Sequence, residues 1–201
     1  MENLEKEKLI QALNSFAYSS IGKLIDAVKA ARLMYFADRY HIRKYGRPIA
    51  WIQYIATDTG PINIELYTLL KNKDDTVKLD PSLTLYTGHF ISFKPVNRDV
   101  LSETDIEALK FAFKNFKDFE TEQLTSIAMK YPEWTAHKDD PNITKGTVYI
   151  DFKEFFTEGV DSAIKDIIKK DPFPKVDDLA ISDYEEELSH RKEEWTYVVE
   201  S

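Results

Sequence analysis

The densest run of chemically capable side chains lies between Arg32 and Arg47. There Arg32, Asp38, Arg39, His41, Arg43, Lys44 and Arg47 alternate with Tyr35, Phe36, Tyr40 and Tyr45. Carboxylate, imidazole and guanidinium groups this close together can move protons, hold a phosphate or lock a fold. The remaining histidines, His89, His137 and His190, stand far apart, and none has a second histidine at helical spacing. His137 with Asp139 and Asp140 comes nearest to a ligand cluster, but Asp-Asp-Pro-Asn is ordinary turn chemistry. The chain has no cysteine, which removes disulfides, thiolate ligands and thiol nucleophiles together. No serine sits in a Gly-x-Ser-x-Gly elbow, and the six glycines form neither a phosphate loop nor a dinucleotide fingerprint. No cofactor, metal or catalytic role is expected.

Charge is unevenly placed in this chain of 201 residues and net charge -8. From Val176 to Ser201 nine acids face two bases, a net of -7, whereas Lys23 to Arg47 carries seven bases against Asp26 and Asp38. A basic stripe with interleaved tyrosines suits phosphate contact. The aromatics nevertheless follow the period of a helix core, and a pI of about 5.1 disfavours general affinity for nucleic acid. The crowded tail glutamates read as a solvated face. The N-terminal MENLEKEKLIQ has charges where a signal peptide needs an apolar run, and no stretch is long and apolar enough for a membrane span. The expectation is a cytoplasmic protein without a membrane partner.

The elements that must position these groups follow from periodicity. Leu9, Ile10, Leu13 and Phe16 predict an amphipathic helix, and Ile21 to Tyr45 predicts a long central one ended by Gly46 and Pro48. Pro48 to Ala56 reads as extended, Thr59-Gly60-Pro61 as a turn, and Asn63 as the cap of the next helix. Three short strands with a Thr87-Gly88 hairpin predict a β-meander. Ser102 and Asp105 open a further helix, and Ser182 with Glu185 makes a capping box for an acidic terminal helix bearing Ile181, Tyr184, Leu188 and Trp195. The fold expected is α+β and predominantly helical: a central long helix, a small antiparallel β-sheet and a C-terminal helical extension.

The stretch RLMYFADRYHIRKYGRPIAWIQYIATDTGPINIELYTLLK, Arg32 to Lys71, carries ordered blocks. These are Tyr35-Phe36-Ala37-Asp38-Arg39 with His41, Tyr45-Gly46-Arg47-Pro48-Ile49, Tyr54 with Ala56, Gly60-Pro61, and Leu66-Tyr67 with Leu69-Leu70. Leu101 to Leu109, Pro132 with Trp134, and Ile150 to Phe156 continue the order. The sequence resembles the SocA-like antitoxin family, the Panacea domain, over about residues 1–157, leaving 158–201 as an acidic helical extension. It departs from the family's pattern at Trp51-Ile52, at Ala128-Met129 and at Ile62-Asn63-Ile64.

The resemblance implies an antitoxin that neutralises a cognate bacterial or phage toxin by direct binding. Delivery of that toxin to a protease, or another phage-encoded interaction role, is the alternative. A nucleic-acid-binding regulator using residues 23–47 is the reading from a different class. The motif residues Tyr35, Asp38, Arg39, His41, Arg47, Tyr54, Gly60, Pro61 and Tyr67 are either contacts to the partner or structural. A charge near an apolar face needs a partner, so Asp38 is expected to pair with Arg47 and fasten the helix to the strand after it.

Overall fold

The computed structural model describes residues 2–160 and 162–199, with side chains for 3–160, 162 and 164–191. Trp195, expected on the apolar stripe of the terminal helix, therefore lies outside the described side chains. Helix α1 (Glu2–Ser19) buries Leu9, Leu13 and Phe16, as their spacing requires. A short 3-10 turn and strand β1 (Leu24–Asp26) then precede the central helix α2 (Ala27–Tyr45). The long helix thus starts six residues later than its periodicity suggests. Gly22 at φ 68° breaks the helical path, and Asp26 takes an extended backbone and caps α2 by accepting from the Lys29 N–H at 2.8 Å. Gly46, at φ 70°, ends α2 in the left-handed conformation that a Cβ disfavours.

Strands β2 (Tyr54–Thr57) and β3 (Gly60–Asn63) form a hairpin. Asn63 caps helix α3 (Ile64–Lys71) through the Glu65 and Leu66 amides, a cap worth about 1 kcal/mol. The expected meander is present as β4 (Thr76–Lys78), β5 (Leu83–Tyr86) and β6 (His89–Ser92), with β1 added at its edge. Helix α4 (Glu103–Phe116) opens with the Ser102–Asp105 capping box; α5 (Thr121–Ala128) and the one-turn α6 (Pro132–Thr135) follow. Strand β7 (Val148–Ile150) pairs with β2. The described residues therefore form two antiparallel sheets, in orders β1-β6-β5-β4 and β3-β2-β7, where the sequence suggested one. The second was hidden because β3 and β7 are too short to alternate visibly. No helix among the described residues is long and apolar enough to cross a membrane.

Helix α2 is the axis of the fold, buried along almost its whole length between α1, α4, α5 and the second sheet. Phe36 stacks on Phe116 of α4 at 4.1 Å between ring centroids, and Tyr35 meets Tyr54 and Phe155 edge-on or tilted. Such aromatic pairs each add about 0.5–1.5 kcal/mol beyond the area they bury.

The terminal helix α7 (Asp178–Val199) begins four residues before Ser182, so the expected capping box falls inside the helix. Asp177 opens it instead, its side chain accepting from Leu179 N–H and its carbonyl from Ala180 N–H, both at 3.0 Å. Ala180 and Tyr184 are buried and Leu188 packs on the core, whereas Ile181 faces solvent. Tyr184 stacks on Trp51, and Arg191 lies over the same indole and pairs with Glu5 at 3.1 Å. Gly46 meets this helix so closely that a Cβ there would fall 2.3 Å from the Ala180 carbonyl oxygen. Gly46→Ala is therefore expected to lift α7 from the core as well as strain the end of α2. Hydrogen exchange over 178–191 should speed up by at least about tenfold; unchanged protection would show that α7 does not depend on this contact.

Candidate functional site

The charged groups of α2 leave the helix in several directions, and each is met by a different part of the chain. Arg32 donates to the Pro61 carbonyl at 2.6 Å, to the Thr59 carbonyl, and through Nε to Thr125 Oγ1 at 3.2 Å. It clamps the β2–β3 turn. Gly60, at φ 111°, belongs to that clamp, since a Cβ there would lie 3.4 Å from the guanidinium. Burial lowers the Arg32 pKa to about 10, which leaves it charged at neutral pH.

Two turns further along, Arg39 donates to both carboxylate oxygens of Glu133, and the Tyr35 hydroxyl donates to the same carboxylate at 2.5 Å. The guanidinium also lies 4.0 Å from the Tyr131 ring centroid and 5.2 Å from that of Phe173. Arg39, Tyr35 and Glu133 are all fully buried. Burial alone would lower the Arg39 pKa, but the Glu133 charge overrides it and the value is raised; burial and then Glu133 push Tyr35 well up. The set is a charge pair held in low dielectric with a tyrosine satisfying one more carboxylate lone pair.

Asp38 does not pair with Arg47. Its two oxygens accept from the Ile49 N–H at 2.7 Å and from the Tyr54 hydroxyl at 2.8 Å. The reversal at Gly46 lays the Ile49 amide over Asp38 and sends Arg47 toward the start of α4. There Arg47 donates to Asp105 and Ser102, each at 3.0 Å. Asp38 does fasten the helix to the following segment, through a backbone amide and a tyrosine rather than an arginine. Burial raises its pKa to about 7. His41 bridges the same two regions, with Nδ1 2.6 Å from the Arg47 carbonyl and Nε2 2.9 Å from Thr104 Oγ1. Burial, then the Arg47 charge, lowers its pKa to about 4, so the ring is neutral at pH 7. A carbonyl can only accept, which places the proton on Nδ1 and lets Nε2 accept from the Thr104 hydroxyl.

Seven of the nine motif residues are thus buried, and Arg47 and Tyr67 are half-buried. Tyr67 lies against Gly146, whose Cβ would come 2.4 Å from the phenol oxygen, and carries the Lys71 ammonium 4.2 Å above its ring. The motif is not gathered into one open site. It is spread over α2, β2, β3 and α3, and most of its polar groups are satisfied internally, with Arg39 Nε left buried without a hydrogen-bond partner. Arg32 and Arg43 belong with it although the motif alone did not single them out. Arg43 donates to the carbonyls of Phe155, Thr157 and Pro174 and pairs with Glu158 at 2.9 Å. Their signal was the recurrence of arginine at 32, 39 and 43 on the side facing the apolar residues. Glu133, between the noted Pro132 and Trp134, carried no such signal.

These contacts remove the basic stripe that suggested phosphate binding, because Arg32, Arg39 and Arg43 are inside the protein. Among the described residues no group of three or more His, Cys, Asp or Glu is arranged to hold a metal ion. The geometry defines a helix-centred α+β module whose charged signature holds it together. A family model described as antitoxin SocA-like, Panacea domain, matches residues 31–135, and the chain belongs to that family. The match runs from inside α2 to the end of α6 and leaves out α1, β1, β7 and α7. Comparisons with curated proteins and with solved structures returned no match.

Proposed function

We propose that this protein is an antitoxin that neutralises a cognate toxin by binding it directly, in the cytoplasm and without catalysis. The family match over 31–135 carries this reading, since antitoxin families imply a toxin partner. The module 1–157 would supply the antitoxin body, and 158–201 an acidic helical extension resting on it. Tyr35, Asp38, Arg39, His41, Arg47, Tyr54, Gly60, Pro61 and Tyr67 would serve recognition by fixing the shape of the module. Their buried hydrogen bonds support that role over direct contact.

Co-expression with the product of an adjacent gene tests this. The expected outcome is growth rescue together with a complex that copurifies. A neighbour that is harmless alone, or toxic but not rescued, would overturn the proposal. Rescue without a complex, with toxin levels falling only when a protease is present, would replace binding with delivery for degradation.

A further inference from the structure

Lys110 and Lys114 of α4 and its C-cap Lys117 recur at intervals of four and three and form one exposed ridge. Lys29, half-buried at the start of α2, stands across from its end. Among the described residues, none of the four has a carboxylate within ion-pair distance. Between this ridge and α1 run two adjoining hollows of about 350 and 430 Å³, which share Ser19, Phe113 and Lys117. Phe16 and Leu109 form the floor, and Phe113 stacks on Phe16 at 6.4 Å. At the far end Ile21 is 99% exposed and Leu24 is 42% exposed. Ile21 is held out by a turn in which Gly22 has φ 68° and Lys23 φ 55°. The left-handed conformation costs a non-glycine residue about 1–2 kcal/mol. Two carboxylates face the groove, Asp26 and Asp118; Asp26 already caps α2 and accepts from Thr121 Oγ1.

We propose that the α1–α4 groove seats an acidic amphipathic helix of a partner protein. The groove offers an apolar floor and apolar end, flanked by four cations that form no ion pair among the described residues and outnumber the two carboxylates facing it. A helix with leucine-like side chains on one face and carboxylates along its margin matches both features. The lysine ridge spans seven residues, about 10 Å, the length of two turns of such a helix. Nucleic acid would use the lysines but gain nothing from the buried floor or from Ile21 and Leu24. On the antitoxin reading the partner is the toxin; the chemistry of the groove stands apart from that reading.

The test uses the full chain and a fluorescent peptide about five turns long, with leucine on one face and glutamate on the other. Its binding is followed by anisotropy, beside a mixed-sequence DNA duplex. The dissociation constant should rise by about tenfold in Lys110→Glu/Lys114→Glu/Lys117→Glu, from three exposed charge contacts turned repulsive. Ile21→Asp should weaken it by about fivefold. All four side chains are exposed, so both variants should keep the wild-type melting temperature, which serves as the fold control. Absent peptide binding, equal binding by both variants, tighter binding of the duplex, or a self-dimer abolished by the triple reversal would each overturn the proposal. Failure of growth rescue by the wild type, with the peptide result intact, would remove the antitoxin reading alone.

Discussion

Glu133→Ala should lower the stability of the protein by about 3–5 kcal/mol, a loss expected when one partner of a buried ion pair is removed. The Arg39 guanidinium would stay in the core with its charge and no anion, because the rings of Tyr131 and Phe173 supply only a cation–π contact. The Tyr35 hydroxyl would lose its acceptor in the same step, an orphaned buried donor that costs a further 1–3 kcal/mol, about. In a domain of this size 1 kcal/mol moves the melting temperature by about 2–4 °C, so a drop of about 10 °C or more should appear in thermal unfolding. Arg39→Met/Glu133→Leu should recover much of the loss, since replacing both charges leaves none buried and unpaired. Recovery should stay incomplete because Tyr35 still lacks a partner. A Glu133→Ala protein with the wild-type melting temperature would show that the pair is not what holds α6 to α2.

What is legible in this chain depends on what each local signal physically encodes. The caps at Asn63 and Ser102, the Gly46 stop and the Thr87-Gly88 hairpin were legible because each depends on one residue's backbone preference or a bond three residues away. The central helix was legible as a helix but not in its start: Leu24 and Val28 fit the helical period, yet the left-handed Gly22 and the Asp26 cap delay it. At the other end of the chain, Ser182 and Glu185 had the spacing of a cap while Asp177 made the bonds. Local spacing cannot choose between two caps five residues apart; the docking of Ala180 and Tyr184 on Gly46 and Trp51 does. The motif residues were found, but their partners were not. Asp38 and Arg47 are close in sequence and opposite in charge, so pairing them was the economical reading. The chain reversal instead brings a backbone amide, which every sequence position offers and none advertises. Glu133 and Asp105 lie 94 and 58 positions from the arginines they meet. Nothing local distinguishes Glu133 from a surface acid, and the capping spacing that marks Asp105 gives no sign of Arg47. The same limit hid the lysine ridge on α4, whose intervals of four and three were visible but whose freedom from carboxylates is a tertiary fact.

Asp38→Asn should change how stability depends on pH more than it changes stability itself. In the folded protein Asp38 titrates near 7, raised by burial from the usual range around 4. The folded state then holds that proton more tightly than the unfolded chain. Its stabilisation is complete below about pH 4 and is lost as pH rises toward 7. His41 acts in the opposite direction. Burial lowers its pKa from 6.5 to about 4, so its contribution is complete above 6.5 and is lost as pH falls toward 4. Each slope is about 1.4 kcal/mol per pH unit. Across pH 4 to 6.5 the two oppose each other, and their joint contribution to the wild-type profile should nearly cancel. Asparagine keeps an oxygen for the Ile49 N–H and an amide beside the Tyr54 hydroxyl, but it cannot titrate. The His41 slope is then exposed, and between pH 4 and 6.5 Asp38→Asn should gain about 3 kcal/mol more than the wild type does. Urea unfolding at intervals across that range measures both profiles. Parallel profiles for the two proteins would mean that Asp38 is ionised in the folded core throughout, with the Ile49 amide and Tyr54 hydroxyl sufficient to hold its charge.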